Sequence, residues 1–314
     1  MGETARRRVL LLAHTRRAEA RAVAGECVAG LTARGLTVRL VDSEAESLGI
    51  AASTPGVELV AEGRDVGAHC EVALVVGGDG SILRAAEYTH GSGTPILGIN
   101  LGHVGFLAEA EQDDVGTTIE AIVERRYAIH ERLTLDVAVL RGKEVLYETF
   151  ALNEASVEKA ARERMLEVVI EVDGRPLSRF GCDGVVCATP TGSTAYSFSA
   201  GGPVVWPQVQ ALLMVPLSAH ALFARPLVVA PTSVLAVEVL ANNEGSGVLW
   251  CDGRRTVELP PGARIEVRQG QRSVPLVRLH EAPFTDRLVA KFDLPTAGWR
   301  GNAERRREGM DDGA

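Results

Sequence analysis

The chain has 314 residues, of which 46% are apolar and only 4% aromatic, and its formal net charge is −8. This composition is typical of a globular protein with an aliphatic core and one large or two ordinary domains. The acidic balance argues against a nucleic-acid partner. No run approaches the ~20 apolar residues of a membrane span, which argues against a membrane partner. The five cysteines are scattered, so we expect no disulfide framework and a cytoplasmic location.

The first third of the chain alternates apolar runs with helical patterns. Apolar residues recur at helical spacing over residues 20–31 and again over residues 113–126. The apolar runs that read as strands occupy residues 8–14, 37–41, 71–76 and 95–100. Strands that alternate with helices predict an α/β, Rossmann-like domain whose parallel sheet is covered on both faces.

Near residue 130 the period of the apolar residues changes from helical to alternating. Residues 133–139 and 168–172 alternate, and the second run ends in Asp173-Gly174, which is a hairpin signal. The pattern predicts an all-β, sandwich-like second domain. We therefore divide the chain into an α/β domain over 1–130, an all-β domain over 131–281, a segment that returns to the first domain over 282–300, and a disordered tail over 301–314.

The stretch VALVVGGDGSILRAAE joins a predicted strand to a predicted helix through three glycines and one aspartate. Gly77, Gly78 and Gly80 would let backbone N–H groups face a phosphate, at the strand end where parallel sheets bind ligands. No Gly-Lys-Ser/Thr follows, so this is no Walker A loop. Asp79 would then hold a magnesium ion or take a proton from a hydroxyl. The alternative is a tight turn in which Asp79 or Ser81 caps the helix.

Three further segments carry polar residues after apolar runs. Asn153 and Glu154 offer the donors and acceptors that a ribose or an adenine edge needs, unless they lie in an exposed loop. Residues 182–207, CDGVVCATPTGSTAYSFSAGGPVVWP, offer N–H and O–H donors to a pyrophosphate or a diol, and Tyr196 offers a ring for stacking. The glycine cluster GINLGHVGFLAE, residues 98–109, would line the same sheet edge or form a plain loop.

In this order, the GGDG element, the Asn-Glu pair and the TPTGSTAYSFSAGGP segment resemble the bacterial NAD kinases. The likeness is greatest to actinobacterial members, through FGCDG, HALFARPLVV and APFTDRLVAKF, and it covers about residues 8–301. The TPTGSTAYSFSAGGP segment is specific. The GGDG element also occurs in lipid kinases of the diacylglycerol and sphingosine types and in phosphofructokinases.

The resemblance implies an NAD kinase fold and the transfer of a phosphoryl group from ATP, or from polyphosphate, to the 2′-hydroxyl of the adenosine ribose of NAD. Asp79 would be the general base. We expect Mg²⁺ or another divalent cation to be held by the nucleotide phosphates, so that no metal-binding residue is assigned in the protein. The implied partners are small-molecule nucleotides and further copies of the chain, in a homodimer or homotetramer.

The resemblance also implies which residues contact the substrates. The phosphate loop is Gly77, Gly78 and Gly80. The NAD-binding set is Asp79, Gly80, Arg84, Asn153, Glu154, Arg164, Asp183, Thr194, Ala195, Tyr196, Ser197, Phe198 and Ser199.

Three other functions compete with this interpretation. A lipid kinase could share the GGDG element, but it would need a basic membrane-docking face, and this acidic chain shows none. A nucleotide-binding regulator without catalysis would gain nothing from Asp79 beside phosphates. An NAD-dependent oxidoreductase would need GxGxxG at its first strand–helix turn, where this chain reads LLAHTRRAEA.

Overall fold

The computed structural model describes residues 6–64, 66–102, 105–111, 114–161, 165–242, 246–280 and 283–296. Arg164 and the tail predicted over 301–314 lie outside the described residues. The described helices are α1 (Ala18–Ala33), α2 (Asp42–Leu48), α3 (Asp79–Thr89), α4 (Val115–Glu124), α5 (Tyr196–Ser199) and α6 (Phe284–Phe292).

The strands fall into two groups along the chain. The first group is β1 (Arg8–Ala13), β2 (Thr37–Val41), β3 (Val57–Val60), β4 (Val72–Val76), β5 (Ile96–Asn100), β6 (Ala110–Glu111) and β7 (Ala128–Arg132). The second group is β8 (Leu135–Arg141), β9 (Glu144–Ala151), β10 (Glu154–Lys159), β11 (Leu166–Val172), β12 (Arg175–Cys182), β13 (Gly184–Ala188), β14 (Leu212–Leu217), β15 (Leu227–Val229), β16 (Leu235–Val239), β17 (Gly247–Cys251), β18 (Arg255–Leu259), β19 (Arg264–Gln269) and β20 (Val274–Arg278).

The first sheet has the order β3-β2-β1-β4-β5-β20-β7, with β6 beside β5. Strands β1 to β5 are parallel to their neighbours in this sheet. Buried residues of α1 and α4 pack on one face and those of α3 on the other. This confirms the predicted α/β, Rossmann-like architecture.

The other two sheets form the predicted β-sandwich. Their orders are β12-β11-β16-β19-β8-β9 and β15-β14-β13-β10-β17-β18, and one apolar core includes residues from both. Asp173 and Gly174 both have positive φ, +54° and +72°, in the turn between β11 and β12. The predicted hairpin is therefore present, and its turn uses the left-handed backbone that Asp-Gly supplies.

Strand β20 returns the chain to the first sheet. It pairs with β5 and β7, so the return begins at Val274, earlier than residue 282, where the sequence pattern placed it. A short apolar run predicts a strand, but it carries no information about which sheet the strand joins.

Helix α6 continues this return. Phe284 and Phe292 pack against Phe106, at ring-centroid distances of 5.8 Å and 5.9 Å. Among the described helices, none has the length and apolar character needed to cross a membrane.

Candidate active site

The GGDG segment begins where buried strand β4 ends. Gly77 has φ +155°, and a Cβ at this position would lie 2.4 Å from Oγ of Ser81. Gly78 is the N-cap of α3, and no side chain caps the helix. The alternative in which Asp79 or Ser81 serves as the cap is therefore wrong. The turn brings bare backbone to the carboxyl end of the parallel sheet.

Asp79, the first residue of α3, is held by the loop of residues 105–109. Its Oδ2 accepts a hydrogen bond from the N–H of Phe106 at 3.0 Å, and its Oδ1 accepts one from the N–H of Leu107 at 3.1 Å. A Cβ on Gly105 would lie 2.4 Å from Oδ1, so a side chain there would displace the carboxylate. Each oxygen keeps a second lone pair, with which it can accept a proton.

A cavity of about 530 Å³ opens beside the GGDG backbone. It is lined by Gly77, Gly78, Gly80, Ser81, His14, Thr15, Arg16, Arg17, Arg84, Asn100 and Arg254, and we call it the arginine-lined cavity. Four guanidinium groups and a glycine backbone suit the phosphates of a nucleotide.

Sequence reasoning found only one of these four arginines, Arg84. Arg16 and Arg17 follow β1, which lies next to β4 in the sheet, so the carboxyl ends of both strands meet at one edge. That rule could have identified them. Arg254 comes from the turn between β17 and β18, far away in the chain, and no local signal points to it.

Arg84 stands in the cavity wall with a fixed partner. It forms an ion pair with Glu44, whose side chain is only 5% exposed. The other carboxylate oxygen of Glu44 accepts a hydrogen bond from the N–H of Ala13 at 2.9 Å. Burial lowers the pKa of Arg84 from its ordinary value. Glu44 therefore orients Arg84, and the positive charge of Arg84 is shared between Glu44 and any phosphate in the cavity.

Asn153 and Glu154 link the two sheets of the sandwich and are both buried. Asp252 holds the backbone of this link, because its carboxylate accepts hydrogen bonds from the N–H groups of Leu152 (3.0 Å), Asn153 (2.7 Å) and Glu154 (3.3 Å). It also accepts one from Nη2 of Arg255 at 2.6 Å. Sequence reasoning missed Asp252, since Asp-Gly in a hairpin is usually only a turn.

Glu154 is an acid with a perturbed pKa. Oε2 accepts a hydrogen bond from the N–H of Tyr196 at 3.3 Å. Burial and then the nearby carboxylate of Asp252 raise the pKa of Glu154 to about 8, against the effect of that N–H. At neutral pH the side chain is therefore mostly protonated and offers one donor as well as an acceptor.

The TPTGSTAY segment packs directly onto the Asn153 backbone. A Cβ on Gly192 would lie 2.0 Å from the Asn153 carbonyl oxygen, so only glycine allows this approach. The predicted NAD-binding residues of the segment differ in exposure. Tyr196 and Phe198 are 39% and 41% exposed, while Ser197 is fully buried. Thr194 and Ala195 are half-buried, and Ser199 is exposed.

Asp183 lies at the opposite end of β13 from this group. In the pairing of β10 with β13, Glu154 is opposite Ala188, whereas Glu158 is opposite Gly184. The Asp183 side chain is 44% exposed and forms an ion pair with Lys159 at 2.5 Å, which lowers the pKa of Asp183. The structure thus brings Asn153, Glu154 and Tyr196 together. Asp183 lies on the Glu158 side of Tyr196, and burial and then the carboxylates of Glu158, Glu154 and Asp183 raise the pKa of Tyr196.

Two sets of contacts connect the GGDG segment with the sandwich. Glu87 of α3 forms ion pairs with Arg254 at 2.8 Å and Arg255 at 3.4 Å, next to Asp252. Phe198 packs on Phe292 at 4.6 Å. Phe292 in turn packs on Phe106, whose N–H holds Asp79.

The comparison with protein families decides the family of this chain. Residues 9–127 match the ATP-NAD kinase N-terminal domain, and residues 152–279 match the ATP-NAD kinase C-terminal domain. The chain belongs to the NAD kinase family. The architecture of a parallel-sheet domain followed by a β-rich domain is that of this family, as the resemblance implied.

Similar proteins extend over nearly the whole chain. An NAD kinase of Thermobifida fusca is 59% identical over 98% of this chain and 96% of its own length. NAD kinase 2 of Streptomyces avermitilis is 58% identical over 96% of this chain and 99% of its own. These relatives confirm the actinobacterial type and give no support to a lipid kinase. A crystal structure of yeast NADH kinase complexed with NADH shares the fold, with TM-score 0.83 at 23% identity over 93% of this chain and 89% of that one.

Proposed function

We propose that this NAD kinase transfers the terminal phosphoryl group of ATP to the 2′-hydroxyl of the adenosine ribose of NAD, with Asp79 as general base. The observation that carries the proposal is the position of Asp79. Its carboxylate is held by two backbone N–H groups, next to a cavity lined by four arginines and the GGDG backbone. The acceptor is proposed from the family, because the close relatives are NAD kinases.

The reaction needs a proton acceptor and a way to neutralise phosphate charge. The ribose oxygen forms the new O–P bond while the bond from the terminal phosphorus to the bridging oxygen of ADP breaks. Asp79 takes the hydroxyl proton, and a positioned base of this kind contributes about 10²–10⁴ in rate. Arg16, Arg17, Arg84 and Arg254 stabilise the charge that spreads over the transferring group.

A divalent cation fits this arrangement only through the nucleotide. Among the described residues no group of three or more His, Cys, Asp or Glu side chains could hold a metal ion. The N–H groups of Phe106 and Leu107 orient the Asp79 carboxylate for the proposed proton transfer. We therefore propose that the phosphates of ATP hold Mg²⁺, which supplies charge neutralisation when bound.

In the sandwich, Asn153, Glu154 and Tyr196 together suit the nucleoside part of NAD. A protonated Glu154 and the amide of Asn153 offer donors and acceptors to the polar edge of an adenosine. The exposed ring of Tyr196 offers a stacking surface next to them. Asp183 lies at the other end of β13 but near Tyr196, so we propose that it contacts the part of the dinucleotide that reaches this side of the Tyr196 ring.

The test is NADP formation from NAD, ATP and Mg²⁺, followed with an NADP-specific dehydrogenase. Asp79→Asn should lower turnover about 10²-fold or more, while the affinity for NAD measured by calorimetry stays within about threefold. Asp42→Asn is the control, since Asp42 is also the first residue of a helix, α2, but is exposed and does not line the arginine-lined cavity.

Two other outcomes would change the proposal. An equal loss of turnover and NAD affinity in Asp79→Asn would make Asp79 a binding residue. NADP formation with polyphosphate but not with ATP would change the donor alone.

We also propose that the protein acts in the cytoplasm as a homodimer or homotetramer. Leu222 is fully exposed in the single chain, and Phe223 and Val228 are 56% and 53% exposed. Apolar side chains this exposed favour a protein contact. Light scattering on the purified protein gives the number of subunits, and Leu222→Ser should lower it if this surface forms the contact.

A further inference from the structure

Another cavity lined by arginines, of about 310 Å³, lies where β7, β20 and α6 meet. It is lined by His130, Arg132, Pro207, Gln208, Arg278, His280, Pro283, Phe284 and Arg287, and we call it the C-terminal cavity. Its lining residues all differ from those of the arginine-lined cavity beside GGDG. The proposed reaction makes no use of it.

Among the described residues of this cavity, positive charge exceeds negative charge. Arg278 and Arg287, whose side chains are 10% and 13% exposed, both pair with Glu109, which is 2% exposed. Glu109 is the one carboxylate that pairs with either of them within the described part of the chain. Arg132 adds a third guanidinium with no carboxylate of its own there.

Arg132 is the residue that points to an anion-binding site. It is only 6% exposed, and its buried Nε has no hydrogen-bond partner among the described residues. Burial, and then the charges of Arg278 and Arg287, lower the pKa of Arg132 to about 10. The guanidinium is therefore still charged at neutral pH. A buried charge without a counter-charge destabilises a folded protein unless an ion of opposite sign binds to it.

We propose that the C-terminal cavity binds a small dianion of the phosphate class. Three guanidinium groups offer the planar, paired N–H donors that phosphate oxygens accept. Glu109 already balances one of the three charges, so a dianion would neutralise the remainder. The cavity is large enough for inorganic phosphate and for the phosphate group of a small organic molecule.

The site is connected to Asp79 through the loop of residues 105–109. Nη1 of Arg287 donates hydrogen bonds to the carbonyl oxygens of Phe106 at 3.2 Å and Ala108 at 2.7 Å. The N–H groups of Phe106 and Leu107 hold the Asp79 carboxylate. An anion that attracts Arg287 competes with Glu109 and those carbonyls, and so acts on the loop that positions Asp79. Occupancy of the cavity should therefore change turnover, which makes this a regulatory site.

The test is thermal unfolding of the full chain, without nucleotide or metal, in chloride buffer with increasing inorganic phosphate. At about 100 times the dissociation constant, phosphate should raise the Tm of the wild type by about 4 °C or more. Arg132→Gln removes the buried charge, so its Tm without phosphate should equal or exceed that of the wild type. Its response to phosphate should fall to less than half.

Two further variants separate the two cavities and control for the loss of an arginine. Arg264→Gln removes a cation that is already paired with Glu171 at 2.7 Å and Glu266 at 3.1 Å, so the response should remain. Arg17→Gln removes one arginine from the arginine-lined cavity. The part of the phosphate-induced rise in Tm that depends on Arg132 should remain in this variant. If Arg132→Gln does not fold, Arg278→Gln replaces it in the same series.

The outcomes decide between the two cavities. A response lost in Arg132→Gln and kept in Arg17→Gln supports the C-terminal site. A response kept in Arg132→Gln and lost in Arg17→Gln, or no response in the wild type, overturns it. The unfolding readout needs no activity, so a failure of the proposed kinase reaction would be seen separately. Where NADP forms, any effect of phosphate on turnover that Arg132→Gln abolishes supports the regulatory role.

Discussion

The tripeptide Cys-Asp-Gly occurs at residues 182–184 and again at 251–253, and the two aspartates have opposite environments. The Asp183 side chain is 44% exposed and pairs with Lys159. The Asp252 side chain is 1% exposed and accepts three backbone N–H groups as well as Arg255. Burial raises the pKa of the preceding thiols, Cys182 and Cys251, to about 12 in both cases. The cysteines are thus equivalent, and the strands beside each aspartate make the difference.

The difference between the two aspartates shows how Asp252 comes to lie buried beside Glu154. Asp183 joins β12 of one sandwich sheet to β13 of the other, at a place where water reaches 44% of its side chain. Asp252 lies in the β17–β18 turn with φ +54°, and this turn folds over the link between β9 and β10. Three N–H groups of that link therefore converge on one carboxylate. The same local sequence gives an exposed ion pair in one place and a buried support for Glu154 in the other.

The largest expected effect is on the free energy of unfolding when each of the two carboxylates is removed. Asp252→Ala leaves three buried N–H groups and Arg255 without their acceptor, so the free energy of unfolding should fall by about 3–5 kcal/mol. Asp183→Ala removes an exposed ion pair and should cost less than about 1 kcal/mol. Urea unfolding of both variants measures the difference. Similar small losses of unfolding free energy in the two variants would contradict the different roles given to Asp183 and Asp252.

The pH dependence of stability sharpens the comparison at Glu154. Its pKa of about 8 in the folded protein is above that of the unfolded chain, so the folded state holds the extra proton. The stability that this proton contributes is complete below about pH 4.5, the ordinary pKa of a glutamate, and is lost as pH rises from there through about 8. The slope should reach about −1.4 kcal/mol per pH unit in this range.

Glu154→Gln cannot ionise and should remove this slope in urea unfolding at pH 5.5, 7 and 8.5. Glu144→Gln, an exposed glutamate of β9, serves as the control and should keep it. A slope that survives in Glu154→Gln would show that Glu154 is already ionised in the folded protein.

Ionic strength should change ATP binding in the arginine-lined cavity more than it changes the interactions of the buried carboxyl groups of Glu154 and Asp252. Arg17 is exposed, and Debye screening weakens its attraction for phosphates as ionic strength rises. Arg17→Gln should raise the KM for ATP about tenfold at low salt, and less at high salt. Arg34→Gln, an exposed arginine outside the cavity, should leave the KM for ATP unchanged at either salt concentration. An equal effect at both would mean that Arg17 acts by shape rather than by charge.

The smallest effect is expected at Ser197. Its Oγ is fully buried and has no hydrogen-bond partner among the described residues, so Ser197→Ala should change the free energy of unfolding by less than about 1 kcal/mol and leave the KM for NAD unaltered. Ser199→Ala, two residues further on and exposed, should raise the KM for NAD if that serine contacts the dinucleotide. A raised KM in Ser197→Ala alone would show that the segment rearranges when NAD binds.

The sequence pattern was most informative where one local feature carries a function. The alternation of strands and helices predicted the parallel sheet, and the change of period near residue 130 predicted the sandwich. Gly77 and Asp79 were identified because a strand, a glycine turn and a helix follow one another directly. Asp252, Arg254 and β20 were not, since their roles come from neighbours that lie far away in the chain.

Local sequence was therefore sufficient for the two architectures, the GGDG turn, the Asp173-Gly174 hairpin and the family. These depend on apolar periodicity and on backbone conformations that few residues allow, and both are properties of short segments. Tertiary structure alone decided which of two identical Cys-Asp-Gly segments is buried. It also gathered four arginines around the GGDG backbone and left the buried Nε of Arg132 without a hydrogen-bond partner among the described residues. Burial and charge balance depend on every strand and helix that packs around a group, so neighbours in space determine them.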